Sequence, residues 1–181
     1  MSRSIRQHLR AAAASRTLVS LERRVEAGRA LGYIVDFGPR WFVLSLVEEG
    51  IRFNGFHVFR FSDVSAVESP HPHTSFVESA LRLRGERRPR KRRWDLSSVS
   101  RLIESASRYF PLVTLHRELV DPDVCHIGRV ISVSERNVTL QEVTPDAEWE
   151  NTLTKFTCSQ ITRVDLGGSY EAALLLVQGA S

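Results

Sequence analysis

The chain has 181 residues, 42% of them hydrophobic and 8% aromatic, and 25 Lys and Arg against 21 Asp and Glu give a formal net charge of +4. These values are typical of a globular protein with one or two domains and a sizeable core. No uncharged stretch approaches the ~20 residues of a membrane-spanning helix, and residues 1–16 lack the apolar core of a signal peptide, so we expect a cytoplasmic protein with no membrane partner. Two cysteines, Cys125 and Cys158, are too few for a disulfide scaffold.

The first half of the chain predicts an amphipathic helix followed by five short strands. The helix covers Ser4 to Ser15, and the strands cover about 17–24, 30–37, 41–48, 56–61 and 64–68. Gly38-Pro39 and Glu49-Gly50 stand where the chain must reverse between strands. The segment from Ser75 to Arg84 is rich in Ala and Leu and predicts a short closing helix, with a strand as the alternative.

A dense run of positive charge, called here the basic tract, extends from Arg82 to Arg93. Its eight basic residues surround a single acid, Glu86. Like charges at this density repel one another and resist burial, so residues 85–94 are predicted to form a solvated linker. Residues 1–94 carry 18 basic and 9 acidic residues, a net charge of +9, whereas residues 95–181 carry 7 and 12, a net charge of −5.

The second half predicts the same series of elements. A helix covers Leu96 to Tyr109, with Asp95 as its N-cap, and a closing helix covers Ser169 to Val177. Between them, strands are predicted at about 111–118, 125–133, 137–143, 153–158 and 161–165.

These parallel predictions reflect an internal repeat in the sequence. TLVSLERR at residues 17–24 aligns with PLVTLHRE at residues 111–118, at an offset of 94. LGYIVDFGPRWFVLSLV at residues 31–47 aligns with IGRVISVSERNVTLQEV at residues 127–143, at an offset of 96, which pairs Gly32 with Gly128. The repeat predicts two copies of one compact β unit.

The pattern of each copy resembles the Sm-like small β-barrel superfamily. A leading helix is followed by V-x-L, then by G-x-V-x-x-x-x-x-x-V-x-L, then by a closing I/V-x-x-V, over residues 4–68 and again over residues 96–166. The resemblance implies a mainly β chain with short helices: two tandem five-stranded antiparallel Sm-like barrels, each preceded by an α-helix. The first unit would span residues 1–84 and the second residues 95–181.

The RNA-binding residues of that superfamily do not carry over. The bacterial RNA chaperone of the superfamily has Tyr-Lys-His near its closing strands. This chain instead has Phe59-Arg60-Phe61-Ser62 and Phe156-Thr157-Cys158-Ser159 at those positions. The resemblance therefore predicts a fold and no specific RNA site.

The basic tract is the candidate nucleic-acid site. Arginine side chains bind phosphate oxygens bidentately, and a flexible basic segment can follow a nucleic-acid backbone without reading its sequence. Trp94 follows the tract and is suited to stack on an unpaired base. The predicted RNA- or single-stranded-DNA-binding residues are Arg82, Arg84, Arg87, Arg88, Arg90, Lys91, Arg92, Arg93 and Trp94. The alternative is a solvated linker whose charges separate the two barrels or dock on the acidic second copy.

Histidine and cysteine do not predict a metal site, and no cofactor is expected. His71 and His73 are close enough in sequence to chelate together, and Cys125 precedes His126. However, consecutive residues of a strand point to opposite faces, so Cys125 and His126 cannot easily share an ion. Both cysteines are predicted to pack in the second core.

The sequence predicts a protein that is not an enzyme. Asp121 and Asp123 flank a proline, and Asp146, Glu148 and Glu150 surround Trp149, but nothing places a base beside a nucleophile. P-loop, dinucleotide-binding and nucleophile-elbow motifs are missing from the sequence. No catalytic residue is therefore assigned.

Aromatic residues of the first half provide an alternative function. Six of them lie between residues 41 and 61, more than five short strands need on one inward face, because alternation sends about half of the side chains outward: Trp41, Phe42, Phe53, Phe56, Phe59 and Phe61. Outward aromatics would form a barrel-to-barrel contact, a homo-oligomer seam or a groove for a protein partner. The alternative to nucleic-acid binding is therefore a protein-interaction or scaffolding module.

Overall fold

A computed structural model describes residues 3–90 and 92–179, which contain four α-helices and ten β-strands. The chain divides into two compact units, Met1–Arg92 (unit 1) and Arg93–Ser181 (unit 2), and the division falls within the predicted linker. In the described part of the chain, no helix is both long and apolar enough to cross a membrane.

Unit 1 is a five-stranded antiparallel sheet with a helix at each end of the sequence. Its elements are α1 (Arg3–Ser15), β1 (Val19–Arg23), β2 (Glu26–Phe37), β3 (Trp41–Val47), β4 (Phe53–Arg60), β5 (Val64–Glu68) and α2 (Thr74–Leu83). The strand order is β5-β1-β2-β3-β4.

The two helices of unit 1 cover opposite faces of its sheet. Leu9 of α1 packs into a core cluster with Val19 and Phe42, whereas Val77 of α2 packs into a second cluster with Leu18. Tyr33 of the second cluster and Ile34 of the first are consecutive residues of β2, so their side chains point to opposite faces of the sheet. Each face of the sheet therefore packs against apolar side chains of one helix.

Unit 2 has the same order of elements. These are α3 (Val99–Ala106), β6 (Val113–Arg117), β7 (Asp121–Val133), β8 (Asn137–Val143), β9 (Trp149–Thr157), β10 (Arg163–Leu166) and α4 (Ser169–Gly179). The strand order within the unit is β10-β6-β7-β8-β9, again antiparallel. Leu102, Ile103 and Ala106 of α3 are fully buried.

Irregularities in strand pairing occur at matching places in the two units. In unit 1 the register shifts at Glu22/Arg23, Ile34/Asp36 and Ser45/Val47, and in unit 2 at His116/Arg117, Val130/Ser132 and Gln141/Val143. A short 3₁₀ turn precedes the last strand in each unit, at Phe61–Asp63 and Cys158–Gln160. Register shifts of this kind bend a strand and increase its twist.

The two glycines of the repeat have one structural role. Gly32 pairs with Val19 on β1 and with Leu46 on β3, so β2 changes partners at this residue. A Cβ atom on Gly32 would lie 2.2 Å from the carbonyl oxygen of Ser45. Gly128 is where β7 changes partners in unit 2, and a Cβ atom there would lie 2.3 Å from the carbonyl oxygen of Gln141.

The expectation of a mainly β chain with short helices is confirmed, and both closing segments are helices rather than strands. The second leading helix begins later than the predicted start at Leu96. It begins at Val99, and Ser98 is the N-cap, because its Oγ accepts a hydrogen bond from the Arg101 N–H. Asp95 instead accepts a hydrogen bond from the Ser97 N–H.

The closure of each sheet into a barrel is not confirmed. Among the strands of residues 3–90 and 92–179, no pairing joins β4 to β5 or β9 to β10. The likeness to Sm-like barrels therefore remains a proposal.

We predict that Gly32→Ala destabilises unit 1 and that Gly128→Ala destabilises unit 2, each by about 2–3 kcal/mol in the free energy of unfolding. In both variants the new methyl group would contact a backbone carbonyl that cannot move without disturbing the next strand pair. Urea denaturation followed by circular dichroism measures the effect.

Gly50→Ala is the matched control, because its Cβ would meet only the Glu48 side chain at 3.6 Å. Its free energy of unfolding should stay within about 0.5 kcal/mol of the parent value. Equal stability of all three variants would contradict the role assigned to the two glycines.

Candidate nucleic-acid interface

The basic tract begins on α2 and continues beyond it. Arg82 lies in the last turn of the helix and Arg84 is its C-cap. The side chains of Arg82, Arg84, Arg87, Arg88, Arg90, Arg92 and Arg93 are exposed. Lys91 lies outside the described residues.

The first part of the tract is attached to unit 1 by side-chain contacts, while its arginine side chains are exposed. The Arg84 guanidinium donates a hydrogen bond to the carbonyl of Gly50. Glu86 Oε2 accepts a hydrogen bond from the Phe53 N–H at 3.3 Å, and its other oxygen lies 3.8 Å from Arg52. The single acid of the tract is therefore engaged by groups of unit 1.

Arg88 is a second point of attachment. Its guanidinium carbon lies 3.7 Å from the centre of the Tyr33 ring, a cation–π contact. The Tyr33 hydroxyl lies 3.4 Å from Glu78 Oε1. Burial, with Glu78 adding to it and Arg88 opposing it, raises the pKa of Tyr33, so the phenol stays neutral at physiological pH.

Between residues 82 and 90, the side chains of Arg82, Arg87 and Arg90 remain available to bind an anion. Within the residues that the structure describes, no carboxylate forms an ion pair with any of these three side chains. Each therefore keeps its full hydrogen-bonding fork for an external anion.

Trp94 belongs to the structure of unit 2. The residue is 8% exposed, and its ring lies nearly parallel to Phe110, with 6.2 Å between ring centres and 13° between planes. Phe110 covers one face of the indole, so we leave Trp94 out of the proposed base-stacking surface. Its place after the tract suggested exposure, but an isolated tryptophan in a sequence carries no signal that separates exposure from burial.

The aromatic residues that were expected to supply an exposed interface are covered. Five of the six are buried, and Phe53 is half-buried. Phe42, Phe59 and Phe61 lie in one core cluster of unit 1, while Phe53 packs on the other beside Tyr33. Among the described residues of unit 1, the exposed large hydrophobic side chains lie instead on α2, where Phe76 is 64% and Leu83 is 84% exposed.

The histidine candidates are engaged with other groups. The rings of His71 and His73 contact each other edge to face, and His126 Nδ1 lies 2.9 Å from Glu142. Across the part of the chain that the structure describes, no group of three or more His, Cys, Asp or Glu side chains is arranged to hold a metal ion.

One polar cluster of unit 2 was not identified from the sequence. His116 pairs with Cys125 on β7 and with Arg163 on β10, and directly opposed residues share one face of a sheet. His116 Nε2 lies 2.8 Å from Asp165 Oδ2, which Arg163 also binds at 2.7 Å. Arg163 and Asp165 are neighbours on β10, but only strand pairing brings His116 and Cys125 to them, so local spacing could not reveal the whole cluster.

Cys125 is exposed, which corrects its predicted place in the core, while Cys158 is buried as predicted. Partial burial of the Cys125 thiol raises its pKa, and the nearby Asp165 carboxylate adds to this effect. A thiol with a raised pKa is mostly protonated at neutral pH and is a poor nucleophile. The cluster therefore lacks an activated nucleophile.

The arrangement in unit 1 is suited to hold a polyanion, because an attached basic segment presents to solvent guanidinium groups that form no ion pair with the described residues.

Comparisons of the chain with protein-family models, with curated proteins and with solved structures found no significant match.

We predict that Cys125 reacts with iodoacetamide more slowly at pH 7.5 than a free cysteine, because its raised pKa leaves less thiolate. Asp165→Asn removes the nearby negative charge, so the thiol pKa should fall and the rate should rise severalfold. Mass spectrometry of the peptide that contains Cys125, sampled over time and over pH, measures both rates.

Glu150→Gln, an equal change of charge at an exposed residue on β9, is the control and should leave the rate unchanged. A rate at or above that of free cysteine in the parent chain would contradict the prediction.

Proposed function

We propose that the protein is a non-enzymatic binding module that contacts RNA or single-stranded DNA through its basic tract. The observation that carries the proposal is the set of exposed guanidinium groups of Arg82, Arg87 and Arg90, which form no ion pair with any described residue, beside the attached Arg88. Single-stranded nucleic acid supplies one phosphate for each nucleotide, so one strand can satisfy several arginines at once.

Attachment of the tract favours binding. A free linker loses conformational entropy when a ligand orders it, and that loss opposes affinity. The contacts of Glu86 with Phe53 and of Arg88 with Tyr33 already fix part of the backbone. Guanidinium contacts to phosphate carry no base information, so we expect little dependence on sequence.

We further propose that the two units are copies of one Sm-like ancestor. Both have the same strand order, the same sites of register shift and a glycine where the second strand changes partners. A cation–π contact is also repeated, between Arg23 and Phe59 at 4.6 Å and between Arg117 and Phe156 at 5.4 Å. These features support duplication; closure of each sheet into a barrel is part of the proposal.

Fluorescence anisotropy with a labelled single-stranded RNA, over a series of salt concentrations, tests the binding proposal. If four to six cations contact phosphates, the plot of log K against log salt should have a slope of roughly −3 to −4. The triple variant Arg82→Gln, Arg87→Gln, Arg90→Gln should reduce the slope by about 2, because each lost contact removes about 0.7.

The matched control is Arg10→Gln, Arg24→Gln, Arg40→Gln, which removes three exposed charges of unit 1 outside the tract. The control should keep most of the salt dependence. Equal losses in the two triple variants would show that net charge, rather than the tract, governs binding, and no binding of RNA or DNA at low salt would refute the proposal.

A second candidate function is a protein-interaction or scaffolding module. It is favoured by exposed apolar residues on the closing helices: Phe76 and Leu83 on α2, and Leu176 (75%) and Val177 (54%) on α4. Large exposed side chains on one helix are typical of contact surfaces.

We predict for this candidate that the mass in sedimentation velocity rises with protein concentration and that Phe76→Ser, Leu83→Ser abolishes the rise. The exposed substitution Ser75→Ala on the same helix is the control for general damage. A constant monomer mass in the parent chain would count against self-association.

A further inference from the structure

A small pocket lies beside helix α3 in unit 2. It has a volume of about 290 Å³, and its lining includes three cations and two anions together with an aromatic ring: Arg93, Arg101, Arg108, Asp95, Glu104 and Trp94. This volume is at the lower end of the range for ligand pockets, about 300–1,000 Å³. The pocket is therefore suited to a small charged group with part of its carrier.

The charges in the pocket do not balance locally. Arg101 Nη1 lies 3.0 Å from Glu104 Oε2, so these two side chains neutralise each other. Asp95 accepts a hydrogen bond from the Ser97 N–H, and hydrogen bonding from Ser97 lowers the pKa of this carboxyl group. No carboxylate within residues 3–90 and 92–179 forms an ion pair with Arg93 or Arg108.

The frame of the pocket is held by internal contacts. Trp94 is buried and stacks on Phe110. Ser105 Oγ accepts a hydrogen bond from the Asp95 N–H at 2.9 Å and donates one to the Leu102 carbonyl at 3.0 Å. Trp94 and Asp95 are therefore fixed within unit 2, and the neighbouring Arg93 lines the pocket.

We infer that this pocket binds the terminal phosphate of a nucleic-acid strand through Arg93 and Arg108. Arg93 and Arg108 outnumber the ionised Asp95, which leaves a net charge of about +1, and two guanidinium forks call for several acceptor oxygens on one anion. A phosphate monoester supplies −1.5 to −2 charges and three acceptor oxygens at neutral pH, whereas an internal phosphodiester supplies only one charge. The inference rests on the proposed function, since Arg93 is also the last residue of the basic tract.

Binding of two RNA strands that differ only at the 5′ end tests the inference. The 5′-phosphorylated strand should bind about tenfold more tightly than the 5′-hydroxyl strand, which corresponds to about 1.4 kcal/mol. Arg108→Gln should bring the ratio of the two affinities to about one. Arg136→Gln removes an exposed charge of unit 2 outside the pocket and should keep the parent ratio.

A second measurement does not depend on strand binding. Adenosine 5′-monophosphate should raise the melting temperature of the parent chain, adenosine should not, and Arg108→Gln should abolish the difference. A nucleotide effect without strand binding would support the pocket and refute the proposed function. Equal affinity for the two strands, or equal effects of nucleotide and nucleoside, would overturn the pocket.

Discussion

The close approach of two backbones at Gly32, and again at Gly128, is the constraint on which the rest of the fold depends. In each unit one long strand must pair first with the strand before it and then with the strand after it. The glycine is the residue that pairs with both. Because a side chain would occupy the space of the facing carbonyl, only glycine allows both pairings to meet at one residue.

This constraint also positions the basic tract. Tyr33 follows Gly32 and points into the cluster that α2 covers with Val77 and Leu81. The ring of Tyr33 is where Arg88 is attached, and its hydroxyl contacts Glu78 of α2. The path of the tract along unit 1 thus depends on where β2 places Tyr33, and not on the charges of the tract alone.

The sequence predicted most of this fold because the strands alternate and the repeat gives each element twice. It also identified Gly32 and Gly128, since both copies keep the glycine. It could not predict the attachments of Glu86 and Arg88, because their partners, Phe53 and Tyr33, lie on strands far away in the chain. A count of charges in the sequence gives every arginine of the tract the same role. The tertiary contacts separate the attached arginines from those that remain available to a ligand.

Net charge was a poor guide to unit 2 for the same reason. Residues 95–181 carry a net charge of −5, which argues against an anion site there. Yet the sum does not describe how the charges are distributed: Arg163 binds Asp165 at 2.7 Å and approaches Glu118 at 4.0 Å, and Arg101 binds Glu104, so both members of these contacts are locally neutralised while the net charge stays the same. Charges in contact cancel over a few ångströms, while solvent and salt screen the remainder beyond about 10 Å. The cations that remain unpaired, and not the sum over the unit, determine where an anion can bind.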